Sequence, residues 1–302
     1  MNGEFLLKRV IVDFDNTMGI QGCDVDDGLA LLYLLGNPDR IQVVAACTTY
    51  GNNTLANVQE NTEHLFEEWG LDVPIYRGAS TPEKDAAEEC EAARFLAQTT
   101  EEHPGEIHVL ATGSLTNLKG AQLLNHRFLE NTAGVTLMGG IERSLVINGK
   151  IMNELNFSCD AEATFQILDS VKHGAAISIA TAQNCLPAFF EKDDFVREFG
   201  ADSWMTKTID YWFSDMEQAY SWNGFTCWDV VAAAMLAKPE LFDRTTRNVT
   251  LSRKFFSIGL LEESEGDAPS VRVNTPRILD PDALRADVIS SWKNALDILG
   301  IR

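Results

Sequence analysis

Positive charge is scarce in this chain. Over 302 residues, 24 Lys and Arg stand against 45 Asp and Glu, a formal net charge of −21. Such a surface repels phosphate backbones and anionic lipid, which excludes nucleic-acid binding through phosphates and docking on anionic membranes. No segment is long and apolar enough to span a bilayer. The first residues, MNGEFLLKRVIVDFDN, hold no apolar stretch of signal-peptide length, so a cytoplasmic protein is expected. The six cysteines (Cys23, Cys47, Cys90, Cys159, Cys185, Cys227) form no CxxC pair and read as free thiols in a reducing compartment. None of the five histidines (His64, His103, His108, His126, His173) lies in a recognisable motif. The chain also lacks repeats, low-complexity tracts and linkers, so one domain over residues 1–302 is expected.

What is present is acid, concentrated near the N-terminus. Residues 12–27 read VDFDNTMGIQGCDVDD and place Asp13, Asp15, Asp24, Asp26 and Asp27 in a glycine-containing loop. Val10-Ile11-Val12 before it has the composition of a buried strand, and the Leu-rich run from Leu29 to Leu35 after it reads as a buried helix. Strands then alternate with helices: Ile41–Cys47, a helix from about Leu55 to Trp69, Val73–Tyr76, an acidic helix over roughly Pro82 to Thr99, Ile107–Ala111, Val135–Met138 and Ala175–Ala180. This rhythm predicts an α/β fold, an open and mostly parallel sheet with helices on both faces. In such sheets ligands bind beyond the carboxyl ends of the strands, which is where the acid loop falls. Crowded carboxylates repel one another, and a divalent cation that prefers hard oxygen donors offsets the repulsion. The stretch Phe189 to Phe225 is aromatic-rich and reads as helical, either a pocket wall or an ordinary core.

Four further segments stand out: Thr49-Tyr50-Gly51-Asn52-Asn53-Thr54-Leu55; Leu110-Ala111-Thr112-Gly113-Ser114-Leu115-Thr116-Asn117-Leu118; Met138-Gly139-Gly140 followed by Asn148 and Asn153-Glu154-Leu155-Asn156-Phe157; and Cys227-Trp228-Asp229 opening an apolar helix. Singly, each has a plain reading as turn, cap or strand end. In this order, with the DxD and DD of the acid loop, they resemble the nucleoside hydrolases over nearly the whole chain. The resemblance implies that family's fold, with its Rossmann-like core, and a homodimer or homotetramer. It also implies hydrolysis of the bond between ribose and base in a small-molecule ribonucleoside.

The resemblance further implies a Ca²⁺ site made of Asp15, Asp27, the Thr112 carbonyl and Asp229, with Asp15 taking a proton from the attacking water. Asp26 and Asn156 are then expected on the ribose 2′- and 3′-hydroxyls, Glu154 and Asn148 on the 5′ side, and Asn52 bracing sugar and water. A site that hydrogen-bonds hydroxyls rejects deoxy analogues.

The sequence departs from the family pattern in three places. The loop between Asp15 and Asp24 is long, and Asp24 is expected beside the site or at the surface. Many members carry His before the late Asp, where this chain has Trp228. The purine-preferring branch also has Trp-Asp there, so Trp228, with Trp222 or Tyr220, is expected to activate a purine by stacking. The segment after Arg77-Gly78-Ala79 is short, leaving the base pocket poorly defined. Two competing readings remain. One is a haloacid-dehalogenase-like Mg²⁺ phosphatase built on Asp13-Phe14-Asp15-Asn16-Thr17; the other is a calcium-dependent nucleoside binder without turnover.

Overall fold

The computed structural model describes residues 6–301. Its strands are β1 (Lys8–Phe14), β2 (Ile41–Thr48), β3 (Ile75–Tyr76), β4 (Ile107–Ala111), β5 (Gly134–Met138), β6 (Leu145–Ile147), β7 (Lys150–Met152), β8 (Ile177–Ala180), β9 (Phe189–Glu191), β10 (Gly224–Thr226), β11 (Thr246–Thr250) and β12 (Ser270–Asn274). The helices are α1 (Asp26–Leu35), α2 (Leu55–Trp69), α3 (Lys84–Glu89), α4 (Glu91–Glu102), α5 (Thr116–Leu124), α6 (Phe128–Asn131), α7 (Ala161–Asp169), α8 (Ala182–Cys185), α9 (Lys192–Phe199), α10 (Trp204–Tyr220), α11 (Trp228–Ala237), α12 (Arg253–Phe256) and α13 (Pro281–Leu299).

Eight strands form one sheet in the order β3-β2-β1-β4-β5-β8-β12-β11. All neighbours run parallel except the β11–β12 pair at one edge, so the expected open, mostly parallel α/β sheet is what the chain adopts. Alternate residues of β1 feed different layers. Val10, Val12 and Phe14 pack with residues of α1, α9, α10, α11 and α13, whereas Ile11 packs with residues of α4, α5 and α7. This period-two division of a strand buried on both faces is why its residues read as a continuous apolar run.

Local signals account for several helix ends. Thr54 caps α2, its hydroxyl accepting from Asn57 N, and Gly70 ends the helix at φ +62. The acidic helix expected over Pro82 to Thr99 is two helices, α3 and α4, separated at Cys90 with φ −72 and ψ 153. There Cys90 Sγ accepts from Ala93 N at 3.4 Å and acts as the cap of α4. Among the described residues no helix is long and apolar enough to cross a membrane.

Candidate active site

The chain leaves β1 for α1 on one face and leaves β4 for α5 on the other. Between the carboxyl ends of these adjacent strands lies a topological switch point, the crevice where open α/β sheets bind ligands. The acid loop leaves β1 there, and the Thr112-Gly113-Ser114 turn leaves β4 beside it.

Asp15 is wholly buried at this point. Its Oδ2 accepts a hydrogen bond from Asn52 N, while its Oδ1 has no partner. Asp27, in the first turn of α1, accepts at Oδ1 from the Thr112 hydroxyl (2.7 Å) and at Oδ2 from Asn52 Nδ2 (3.3 Å). The Thr112 carbonyl accepts from Asn156 Nδ2 at 2.8 Å and keeps a second lone pair. Thus Asp15, Asp27, Asn52, Thr112 and Asn156 form one bonded constellation, although they come from four separate segments of the chain.

Asp229 closes it from the far end of the chain. No side chain caps α11 at Cys227, and Asp26 takes over that task, its Oδ2 accepting from Asp229 N at 3.1 Å. Carboxylate oxygens of Asp26, Asp27 and Asp229 lie within 4.8 Å of one another. Burial raises all three carboxyls; neighbouring carboxylates add to it at Asp27 and at Asp229, which Asp26, Asp27, Asp15 and Asp24 all push upward, whereas hydrogen bonds from Asp229 and Asp24 work against it at Asp26. Burial raises Asp15 to about 7 against the backbone bond from Asn52. A buried set of hard oxygens with an orphaned carboxylate oxygen at Asp15 fits a divalent cation.

The sugar-side residues divide. Asn156 and Asp26 line the cavity beside the acids. Glu154 lines it too, but its carboxylate already accepts from Gly140 N (3.1 Å), Phe157 N (2.8 Å) and Ser158 N (3.0 Å), bracing the turn that presents Asn156. Asn148 is not brought to the cavity wall. It sits exposed at the tip of the β6–β7 hairpin, its amide donating to the carbonyls of Tyr220 (3.1 Å) and Ser221 (2.7 Å).

The cavity has a volume of about 210 Å³. Trp228, Trp212, Met216 and Tyr220 also wall it, with Leu145 and Met152 of the hairpin. Trp222 stands behind Trp228, with ring centroids 6.4 Å apart. Trp212 belongs to the aromatic stretch expected as pocket wall or core, whereas Met216 escaped the sequence reading. The signal was available, because Trp212, Met216 and Tyr220 recur at i, i+4 and i+8 on one face of α10. Asp24 is half-buried at the cavity, its Oδ1 accepting from Val25 N at 2.7 Å. No histidine is among the residues lining the cavity.

Asp13 does not line it either. The pleat places Asp13 on the Ile11 face of β1, toward α5, where its Oδ2 accepts from Asn117 Nδ2 at 2.8 Å. Asp13 is thus fastened to α5 rather than presented as the nucleophile that the phosphatase reading requires.

Comparison with known proteins agrees with this geometry. A family model described as inosine-uridine preferring nucleoside hydrolase matches residues 10–285. A probable uridine nucleosidase 2 of Arabidopsis thaliana is 25% identical, over 88% of this chain and 92% of its own. A solved plant nucleoside hydrolase superposes with a TM-score of 0.80 at 22% identity, covering 95% of this chain and 99% of its own. A purine-preferring ribonucleoside hydrolase from Gardnerella vaginalis does so with a TM-score of 0.78 at 18% identity, covering 96% and 100%. Identities this low make the two structural likenesses statements of fold alone.

Proposed function

This chain belongs to the inosine-uridine preferring nucleoside hydrolase family, and from that premise we propose a calcium-dependent ribonucleoside hydrolase that leans toward purine bases. The chain is a nucleoside N-ribohydrolase, an enzyme that hydrolyses the bond between ribose and base. The observation that carries the finer reading is the convergence of Asp26 and Asp27 with Asp229 from the far end of the chain, with Asp15, whose Oδ1 has no partner, joined to Asp27 through Asn52.

In this reading Asp15, Asp27, the Thr112 carbonyl and Asp229 hold the cation, and Asp26 stands close enough to share in it. A calcium ion held by these residues would offset the repulsion among the acids and supply Lewis-acid polarisation of a water molecule. Asp15 takes the proton of the attacking water. Its Oδ1, which has no protein partner, is the oxygen free to take that proton. Asp26 and Asn156 accept and donate to the ribose hydroxyls, Asn52 braces sugar and water, and Glu154 with Asn148 stand on the 5′ side. Glu154 acts mainly through the turn it braces, and Asn148 through the hairpin it fastens.

The base lies against Trp228, with Trp212 and Tyr220 beside it. Stacking and burial hold the leaving group, and no cavity histidine is at hand to protonate it. This wall supports the purine lean. A uridine preference is favoured instead by the name of the Arabidopsis relative. The enzyme is taken to be cytoplasmic and a homodimer or homotetramer, the assembly being read by sedimentation.

The test is turnover of inosine, guanosine, adenosine, uridine, cytidine and deoxyinosine, with and without chelator, for the wild type and Asp15→Asn. Expected are free base from purine ribonucleosides first, little from deoxyinosine and none under chelation. The kcat of folded Asp15→Asn should fall at least about 100-fold. Chelator-resistant turnover would remove the calcium reading, and faster uridine cleavage would reverse the base preference.

A further inference from the structure

Outside the cavity lies a buried ion pair that the proposed chemistry does not use. Lys119 of α5 is 3% exposed and Asp160, at the start of α7, is 4% exposed. Lys119 Nζ donates to Asp160 Oδ2 at 2.6 Å and to the Pro82 carbonyl at 2.7 Å. A buried pair of this kind is weak evidence for stability, because desolvating both charges offsets most of their attraction. Its connections are more informative. Asp160 Oδ2 also accepts from Thr116 Oγ1 at 2.9 Å. Thr116 Oγ1 in turn lies 2.7 Å from Ser114 Oγ and 3.0 Å from Tyr50 OH. Asp160 Oδ1 accepts from Ala163 N at 2.9 Å, capping α7.

The charge sets the direction of this network. Paired with the Lys119 ammonium, the Asp160 carboxylate only accepts, so the single Thr116 proton is committed to it. Ser114 then donates to Thr116, and the Tyr50 hydroxyl shares its one proton between Thr116 Oγ1 and the Cys159 carbonyl at 3.3 Å, beside Asp160. Ser114 follows Thr112 by two residues, Tyr50 precedes Asn52 by two, and Asp160 follows Asn156 by four. Three loops that each present a polar group at the cavity are therefore fastened to one carboxylate. Neither Lys119 nor Asp160 lines the cavity.

We propose that Lys119 and Asp160 are positioning residues, whose buried pair fixes the Tyr50–Asn52, Thr112–Ser114 and Asn156–Asp160 segments relative to one another and so sets the ribose- and cation-binding geometry. The proposal rests on reading the cavity as the nucleoside site. Misplacement of reacting groups by about 1 Å costs on the order of 100-fold in rate, so a device outside the cavity can govern turnover.

Lys119→Met keeps the buried stem and removes the charge; Thr116→Val removes only the hydroxyl that relays it, and Thr116→Ser restores that hydroxyl. Measured are KM and kcat for the wild type's best ribonucleoside and calcium affinity by calorimetry, on protein whose fold is checked by circular dichroism. Lys172→Met, at the exposed Lys172–Asp169 pair, is the control expected to match wild type. Expected for Lys119→Met and Thr116→Val are a KM about tenfold higher, a kcat on the order of 10- to 100-fold lower and weaker calcium binding, with Thr116→Ser close to wild type. Should Lys119→Met not fold, Thr116→Val against Thr116→Ser decides alone. Folded variants with wild-type KM and calcium affinity, whatever their Tm, overturn the proposal. If the wild type cleaves no ribonucleoside but binds calcium, the substrate reading fails and calcium affinity still decides the positioning claim. A wild type that does neither overturns both.

Discussion

Asp15 owes its placement to two residues without side chains. A Cβ on Gly51 would collide with Asp15 Oδ2, and one on Gly113 would stand 3.0 Å from Oδ1. Gly51 also delivers the chain to Asn52, whose backbone N–H holds that same oxygen. Gly51→Ala is therefore expected to displace the Asp15 carboxylate and lower kcat on the order of 100-fold while the protein stays folded. Wild-type kcat in that variant would show that Asp15 tolerates displacement. At this scale the sequence was most legible where a polar residue follows directly from the end of a strand. Asp15, Thr112 and Asn52 are fixed by the strands they leave. Asn148 was less legible, because the target of its amide lies about seventy residues on, at the end of α10. The Lys119–Asp160 pair was invisible for a similar reason: nothing in the local pattern marks a lysine as buried.

The β6–β7 hairpin and α10 form a joined unit over the cavity. The final carbonyls of a helix have no partner within it. Those of Ala219 and Tyr220, with Ser221 beyond, receive Lys150 Nζ and Asn148 Nδ2. Asn148 holds φ +48, a conformation that costs most residues strain but not glycine. Asn148→Gly thus removes the amide clasp without straining the turn. Its KM is expected to rise by up to about tenfold with Tm little changed, since each neutral hydrogen bond is worth ~1 kcal/mol. An unchanged KM would mean that the hairpin holds its place by packing of Leu145 and Met152 alone. Among the elements, β4 and α2 could be read directly because their flanking turns carry caps and breakers. The division of α3 from α4 could not, since Cys90 is neither a glycine nor a proline and caps through sulfur. The antiparallel β11–β12 edge also escaped notice, because TRNVT is polar at every position but one and SVRVN at alternate positions, on a half-covered strand pair.

For the molecule as a whole, topology gathers acid where a sheet binds ligands, and the protein must carry the resulting repulsion whenever no cation is present. Burial lifts Asp13 to about 8 and Asp15 to about 7. Between the ordinary carboxylate range near pH ~4 and those values, the fold holds protons that the unfolded chain has released. Stability of the cation-free protein should therefore fall as pH rises through that window, and the gain in Tm on adding calcium should grow. A chelated protein whose Tm climbs from pH ~4 to neutrality would contradict that sign.

The most direct measurement is calcium titration calorimetry of the wild type beside Asp229→Asn, with the Tm of both taken under chelator. If Asp229 meets Asp15 and Asp27 around one ion, the wild type binds calcium. The variant then binds it at least about 100-fold more weakly, and its chelated fold is no less stable, because one mutually repelling charge is gone. Undiminished calcium affinity in Asp229→Asn would contradict the account.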